Sequence, residues 1–338
     1  MAPRPRPARC RSLSETTSKR PTVLVVGGTG FIGGAVVREL LRPTPTGTPA
    51  ADLHILSRRE LPGWMTSAGA RRIPGDLTVP ESLRDCAEGV DTVLHLASYV
   101  GRDPALCEAV NAEGTRALAR AARRSRLLYV STTSVYGTGP HRGVPEGRLT
   151  PAPVSAASAS RLRAEEAVRE RGGIVLRPNL VYGPGDRWFV PLLLRLLRKV
   201  PVWAEGGRGR SSLVSVQELA RIVAGFTRCG WTEADRGTVY HVNHPRPVTA
   251  RSVGTKLCQG FGLPTPSADL SRTAHWELSS RVLPELTHHQ HALLTDDHYY
   301  ESNRVWERLG IEPGPGFGAG LVAGLPWYRR QAASARLG

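Results

Sequence analysis

The segment "TVLVVGGTGFIGGAVVRELLR" (22–42) narrows the fold more than any other part of the chain. An apolar run stops on glycines, and a helical pattern starts directly after them. The spacing is G-x-x-G-x-x-G at Gly27, Gly30 and Gly33, with Phe31 and Ile32 between the last two. In such a turn the first glycine bends strand into helix, and the second lets the backbone approach a pyrophosphate. The third lets helix and strand pack closely, so that phosphates meet the free N–H groups of the helix start. A glycine pattern alone says little. It becomes informative here because it closes the first strand and opens the first helix of an alternating array.

That array continues through "LHILSR" (53–58), the helix candidate "ESLRDCAEGV", the strand "TVLHLAS" (92–98) and the helix "EGTRALARAARRS". The strands "LLYVSTTSVYG" (127–137) and "GIVLRPN" (173–179) follow, separated by a loop. Continuous apolar strands alternating with helices predict a parallel sheet covered on both faces, and right-handed crossovers make it doubly wound. After about residue 180 the pattern loosens. "RWFVPLLLRLLRKV" and "SVQELARIVAGFTRC" read as helices, "GTVYHVN" (237–243) as a strand, and the last seventy residues as loop-rich with a final helix. The expected organisation is a tail (1–20), a dinucleotide-binding domain (21–180) and a smaller C-terminal domain (181–338) partly interleaved with it.

The net charge of +16 raises the question of nucleic acid. Residues 1–20 carry six basic side chains against one acid, a Pro/Arg/Ser composition that predicts disorder. The remaining charge is scattered arginine, with no basic block interleaved with aromatics, so no nucleic-acid partner is expected. A phosphate-bearing small ligand suits dispersed positive charge equally well. No apolar run is long enough for a membrane span, and the N-terminus lacks the apolar core of a secretory signal. Five widely spaced cysteines without a C-x-x-C pair argue against a zinc site or disulfide framework and suit a reducing cytoplasm. The histidines and aspartates at 288–298 match no strong ligand spacing, so no metal is expected.

The end of the second strand selects the dinucleotide. An acid there would bind the adenosine ribose, whereas an arginine accommodates a 2′-phosphate. The chain has Ser57, Arg58 and Arg59, which favours NADP(H) over NAD(H).

With these residues stand "GDLT" (75–78), "DTVLHLAS", "VNAEGT" (110–115), "YVSTTSVYG", "LRPNLVYGPGD" (176–186) and "SLVSVQELA" (212–220). Together they resemble the extended short-chain dehydrogenase/reductases, the NAD-dependent epimerase/dehydratase group, from about 22 to 330. The resemblance implies a Rossmann fold and a nucleotide-sugar substrate; a homodimer through a four-helix contact is common in the group. It would place Asp76 and Leu77 beside the adenine, Leu96, Ala97 and Ser98 along the cofactor groove, and Pro178 near the nicotinamide. Asn111 would brace the catalytic strand. Asn179, Arg187 and Arg210 would meet the substrate diphosphate.

The family's catalytic set is a Ser/Thr with a Tyr and a Lys in Y-x-x-x-K. Thr132 matches the first. Matching "SRLRAEE" to the helix pattern puts Arg161 at the lysine and Ala157 at the tyrosine. No lysine lies between 19 and 199 and no tyrosine between 136 and 182, so no shift of frame supplies them. Arg161 suits ribose hydroxyls but stays charged and shuttles no proton. Epimerisation needs a base tuned near neutrality. Dehydration needs an acid/base pair where the chain has Thr133 and Ser134. Ketone reduction asks least, since donors facing the nascent alkoxide do much of the work.

The combination "LSRR", "PVSAASASR" and "LVYGPGDRW" resembles the NDP-hexose 4-ketoreductases of deoxysugar biosynthesis, which act before glycosyl transfer to a natural product. The expected activity is therefore reduction of a dTDP-4-keto-6-deoxyhexose. An epimerase with an unrecognised base, and a non-catalytic NADP-binding sensor or scaffold, stand as alternatives. Ser155, Ser158 and Ser160 either organise a water in the space of the absent phenol or cap the helix beginning near 161. Tyr136 and Tyr99 are further candidate donors, Tyr136 reading better as a packing residue.

Overall fold

The inner strands of the central sheet carry the apolar, β-branched runs that burial on both faces demands, whereas the edge strand at residues 71–74, "RRIP", is exposed or half-buried. The computed structural model describes residues 20–43, 49 and 51–334. Seven strands, β1 (Thr22–Val26), β2 (Asp52–Ser57), β3 (Arg71–Pro74), β4 (Thr92–His95), β5 (Arg126–Val130), β6 (Ile174–Arg177) and β7 (Val239–His241), form one parallel sheet. Their order is β7-β6-β5-β4-β1-β2-β3. The strand order reverses beside β1, which pairs with β2 on one side and β4 on the other. Ligands of such sheets lie past the carboxyl ends of the strands at this reversal.

Helices cover both faces. One face packs on α1 (Phe31–Leu40), whose Val36, Val37 and Leu40 join Val23, Val25 and Ile55 in one core. The other face packs on α2 (Gly114–Ala121) and α3 (Ala156–Glu170), where Leu118, Ala164 and Val168 meet Leu24, Val93 and Tyr129. A separate core lies outside the sheet around α4 (Phe189–Lys199), joined by Tyr182, Leu257, Phe317 and Tyr328. α5 (Val216–Arg228) follows residue 180 in sequence yet packs against α1 under the sheet, and β7 completes the sheet's edge.

Four departures from the sequence reading have physical reasons. Residues 155–161 belong to no loop: α3 begins at Ala156 with Ser155 as its cap. "ESLRDCAEGV" yields one short 3₁₀ turn, Pro80–Leu83, and then turns. The last seventy residues hold helices Arg272–Val282, His288–Thr295, Asn303–Leu309 and Phe317–Ser334. Histidines, serines and small residues blur their apolar period, so tertiary contacts define them. Cys86, Cys107 and Cys258 are buried free thiols, whereas Cys229 is disulfide-bonded, which the cysteine spacing gave no reason to expect. The basic tail, apart from Arg20, lies outside the described residues. Among the described residues no helix is long and apolar enough to cross a membrane, and no cluster of metal-ligating side chains occurs.

Candidate functional site

Two of the three glycines of the first turn, Gly27 and Gly33, have no room for a side chain. Gly27 has φ +85°, and a Cβ there would sit 2.6 Å from the Ala97 backbone nitrogen at the end of β4. At Gly33 a Cβ would lie 2.0 Å from the Gly27 carbonyl oxygen. Gly30 caps α1 without a side-chain bond, and the first turn of that helix contains no acid. The N–H groups at this helix start are thus left for an anion. A pyrophosphate fits such a cradle, and Gly27, Gly30, Phe31, Ile32 and Gly33 are the residues that would hold it.

Across the reversal point, Asp76 receives the Thr78 backbone N–H at 2.9 Å and the Thr78 hydroxyl at 2.8 Å. Burial pushes its carboxyl up, but these bonds and the Arg58 guanidinium, 3.6 Å away, hold it below the ordinary carboxylate range. Arg58 keeps a side chain 70% exposed, and Arg59 is also exposed. Ser57 instead bonds the backbone of Arg59, accepting its N–H and donating to its carbonyl, so its hydroxyl shapes the turn. Leu77 packs on Gly114, where a Cβ would clash with its carbonyl at 2.7 Å. Leu96 is buried, and Ala97 and Ser98 are half-buried past the end of β4. Asn111, in the π-helical turn Glu108–Glu113, ties this exit to α3: it accepts from Tyr99 N–H and Ser98 Oγ and donates to the Tyr99 carbonyl and Ser160 Oγ.

At the end of β5, Thr132 caps a short 3₁₀ turn, accepting from Ser134 N–H at 3.1 Å and donating to Ser134 Oγ at 3.2 Å. Arg161 reaches from α3 and donates to the Val130 carbonyl at 3.2 Å, one strand residue away from Ser131. Its Nε is buried with no protein partner, as is Ser131 Oγ. Two orphaned buried polar atoms beside Thr132 call for a polar group from outside the chain, water or ligand.

The serines of the opening of α3 are already committed. Ser155 and Ser158 form a reciprocal capping box, and Ser160 donates to the Ala157 carbonyl while accepting from Asn111. The capping alternative therefore describes Ser155 and Ser158, while Ser160 braces Asn111. Ala157 is half-buried. Tyr136 is buried and its hydroxyl is 2.7 Å from His241 Nε2. Burial raises its pKa despite the nearby Arg177. Burial likewise drives His95 down to about 3, helped by the Arg161 charge.

The expected substrate residues part company. Asn179 accepts from Thr133 Oγ1 at 2.8 Å and donates to the carbonyls of Ser212 and His298, while its N–H is held by Asn243. It fastens the sheet end to a second, four-stranded sheet made of residues 141–144, 210–211, 248–249 and 298–300. Pro178 contributes its carbonyl to the Thr133 N–H. Arg187 is exposed, in a loop whose Gly185 touches Phe31. Neighbouring Asp186 caps α4, accepting the N–H groups of Trp188, Phe189 and Val190 and the Tyr328 hydroxyl. Arg210 stands on the second sheet, its guanidinium 4.6 Å from the Tyr299 ring centre.

Several buried partners escaped the sequence. Arg177 pairs with Glu165, both nearly inaccessible. Glu146 accepts the His241 N–H. An arginine inside the otherwise apolar "GIVLRPN" was a signal of a buried ion pair, but nothing local named its partner.

Residues 23–228 match the NAD dependent epimerase/dehydratase family. A dTDP-glucose 4,6-dehydratase of Streptomyces niveus is 27% identical, covering 91% of this chain and 92% of the relative. A 4-hydroxy-2-methyl-3-oxo-4-farnesyl-3,4-dihydroquinoline-1-oxide ketoreductase of Stigmatella aurantiaca is 29% identical, covering 71% and 73%. Among solved structures, MoeE5 in complex with UDP-glucuronic acid and NAD superposes with a TM-score of 0.68 at 24% identity, over 92% of this chain and 99% of that one. A dTDP-glucose 4,6-dehydratase double mutant from Streptomyces venezuelae, with NAD bound, gives 0.69 at 22% identity, over 91% and 96%. These structural likenesses concern the fold.

Proposed function

The chain belongs to the NAD dependent epimerase/dehydratase family, and from that premise we propose that it reduces the 4-keto group of a dTDP-4-keto-6-deoxyhexose with NADPH. The observation that carries this reading is the state of the groups around Thr132. Ala157 stands where the family's phenol would be. Tyr136 is bonded to His241 with its pKa raised by burial, Arg161 is a guanidinium, Ser155 and Ser158 cap α3, and Ser160 bonds the Ala157 carbonyl and Asn111. None of these is a base tuned near neutrality, which epimerisation through an oxidised intermediate requires. Thr133 and Ser134 bear no carboxyl for dehydration. Ketone reduction remains, and it is also what the name of the Stigmatella relative says of that protein.

In this reading bound NADPH supplies the hydride. Arg58 and Arg59 face its 2′-phosphate, the α1 turn its pyrophosphate, and Asp76, Leu77, Leu96, Ala97, Ser98 and Pro178 line its bed. Thr132 Oγ1 leaves Ser134 to donate to the ketone oxygen. The Arg161 charge, fixed at the end of β5, favours negative charge on that oxygen, and water supplies the proton. Arg187 and Arg210 take the diphosphate.

The test is incubation with dTDP-4-keto-6-deoxyglucose in heavy water. Stoichiometric NADPH oxidation with one reduced sugar formed is expected, and Thr132→Val should lower kcat/KM about 100-fold. Ring deuterium gained without NADPH consumption would establish an epimerase instead. NADPH binding with no turnover across a panel of 4-keto sugars would leave a sensor.

A further inference from the structure

We propose that residues 99–103 form a strap across the crevice past the strand ends, latched by Arg102, and that its opening sets how fast a bound dinucleotide enters and leaves. The strap leaves the sheet directly after β4, where Ser98 is half-buried. Ligands of such sheets lie there, past the carboxyl ends of the strands. Four residues beyond Ser98, the Arg102 guanidinium donates to the Glu285 carbonyl at 2.9 Å, joining points 183 residues apart. Glu285 stands in the turn between helices Arg272–Val282 and His288–Thr295. The bond therefore ties the exit of the central sheet to the separate core around α4.

Both ends of the strap are fastened. Asn111 accepts the Tyr99 N–H at 2.7 Å and donates to the Tyr99 carbonyl at 2.9 Å. At the other end Asp103 caps the short helix Pro104–Cys107, accepting the N–H groups of Ala105 and Leu106 at 2.9 and 3.2 Å. Val100, Gly101 and Arg102 stand between these anchors. Val100 is 73% exposed, and Arg102 is exposed as well. The Tyr99 ring folds over Gly101, where a Cβ would sit 2.3 Å from the phenol oxygen. Besides a weak thiol bond from Cys107 to the Gly101 carbonyl at 3.6 Å, the middle of the strap is held by Arg102.

The receiving turn is fixed by contrast. Leu283 and Leu286 are buried in the core around α4, and the Leu286 N–H bonds the Leu283 carbonyl at 2.9 Å. From α4, Lys199 donates to the Val282 carbonyl at 3.2 Å, and Arg195 pairs with the Glu285 carboxylate. With that carboxylate engaged, Arg102 takes the backbone oxygen. Among the described residues this is the one hydrogen bond from the strap to the turn. A segment with little buried apolar surface, one glycine and a single exposed bond to a rigid partner opens without disturbing the rest of the fold.

The strap rests on the reading that the dinucleotide lies in this crevice, so one measurement uses the cofactor and a second does without it. Stopped-flow mixing of the full-length protein with NADPH, followed by displacement with excess NADP⁺, gives both rates. In Arg102→Gln association and dissociation should each rise about fivefold, the scale of one charge-assisted bond at an exposed carbonyl, with Kd unchanged. A gate moves both rates together, whereas a side chain that grips the ligand moves dissociation and Kd. Thermolysin, which cuts ahead of apolar residues, is then applied to the cofactor-free protein. Cleavage ahead of Val100 should be about fivefold faster in the variant. Because Arg102 is exposed, its loss leaves the fold intact. Unchanged rates, faster dissociation with weakened affinity, or unchanged cleavage would each overturn the strap. Wild-type protein that binds NADH but not NADPH would overturn the cofactor choice instead, and NADH then serves in the same measurement.

Discussion

The two helix entries that frame the site solve one problem in opposite ways. α1 begins on Gly30, which caps it without a side-chain bond, and its first turn holds no acid. α3 begins on Ser155 and closes its own donors through the Ser155–Ser158 box. An unsatisfied helix start waits for an anion; a capped one asks for nothing. In the proposed reading, recognition of the cofactor therefore falls to the first entry. The second supplies framework, and the hydroxyls of Ser155, Ser158 and Ser160 are engaged within the chain. The region beneath α3 compensates with buried polar groups: Arg161, His95 and the Arg177–Glu165 pair.

Acid should break the contrast most strongly, because only the α3 side buries histidines beside the sheet ends. His95 and His241 are held neutral, each lowered to about 3 by burial. Below the ordinary histidine value of about 6.5 the unfolded chain takes up protons that the folded one refuses. Stability is thus full above pH 6.5 and falls as pH drops toward 3, by up to about 1.4 kcal/mol per pH unit for each histidine. Denaturant midpoints between pH 7 and 4.5 check this; a flat profile would refute it.

Filling the first entry comes next. Gly33→Ala puts a methyl group where the Gly27 carbonyl stands, 2.0 Å away. NADPH affinity, followed by cofactor fluorescence, should fall at least about 100-fold, or about 2.7 kcal/mol. Near-native binding would mean that the turn does not cradle the cofactor.

Smaller effects sharpen the comparison. Arg58→Ala should raise the KM for NADPH about tenfold, equivalent to about 1.4 kcal/mol, and leave that for NADH almost unchanged. Equal changes for both would remove the 2′-phosphate from its side chain. Ser155→Ala should cost about 1 kcal/mol of stability at constant kcat. A large loss of turnover in a folded Ser155→Ala protein would return that hydroxyl to the chemistry.

Much of the fold was legible because its signals are local. Glycine spacing, strand hydrophobicity and the alternation of strands with helices each act within a few residues, and six of the seven observed strands follow their order; the edge strand β3, "RRIP", carries no apolar run and went unread. The cradle at Gly27, Gly30 and Gly33 was readable for the same reason. Asn179 was not: the motif that marks it does not reveal that Thr133, Ser212 and His298 use up its amide.

By itself the sequence determined the parallel doubly wound sheet, the glycine turn that opens α1, the arginines after the second strand, and the absence of a phenol and a lysine from α3. Those are matters of residue identity and short-range spacing. The tertiary structure alone decided where each polar atom spends its hydrogen bonds. It turned Arg161 onto the Val130 carbonyl and joined Glu165 to Arg177 and His241 to Tyr136. Such pairings depend on which distant segments meet inside a medium that penalises every unmatched donor, and no window of neighbouring residues contains that information.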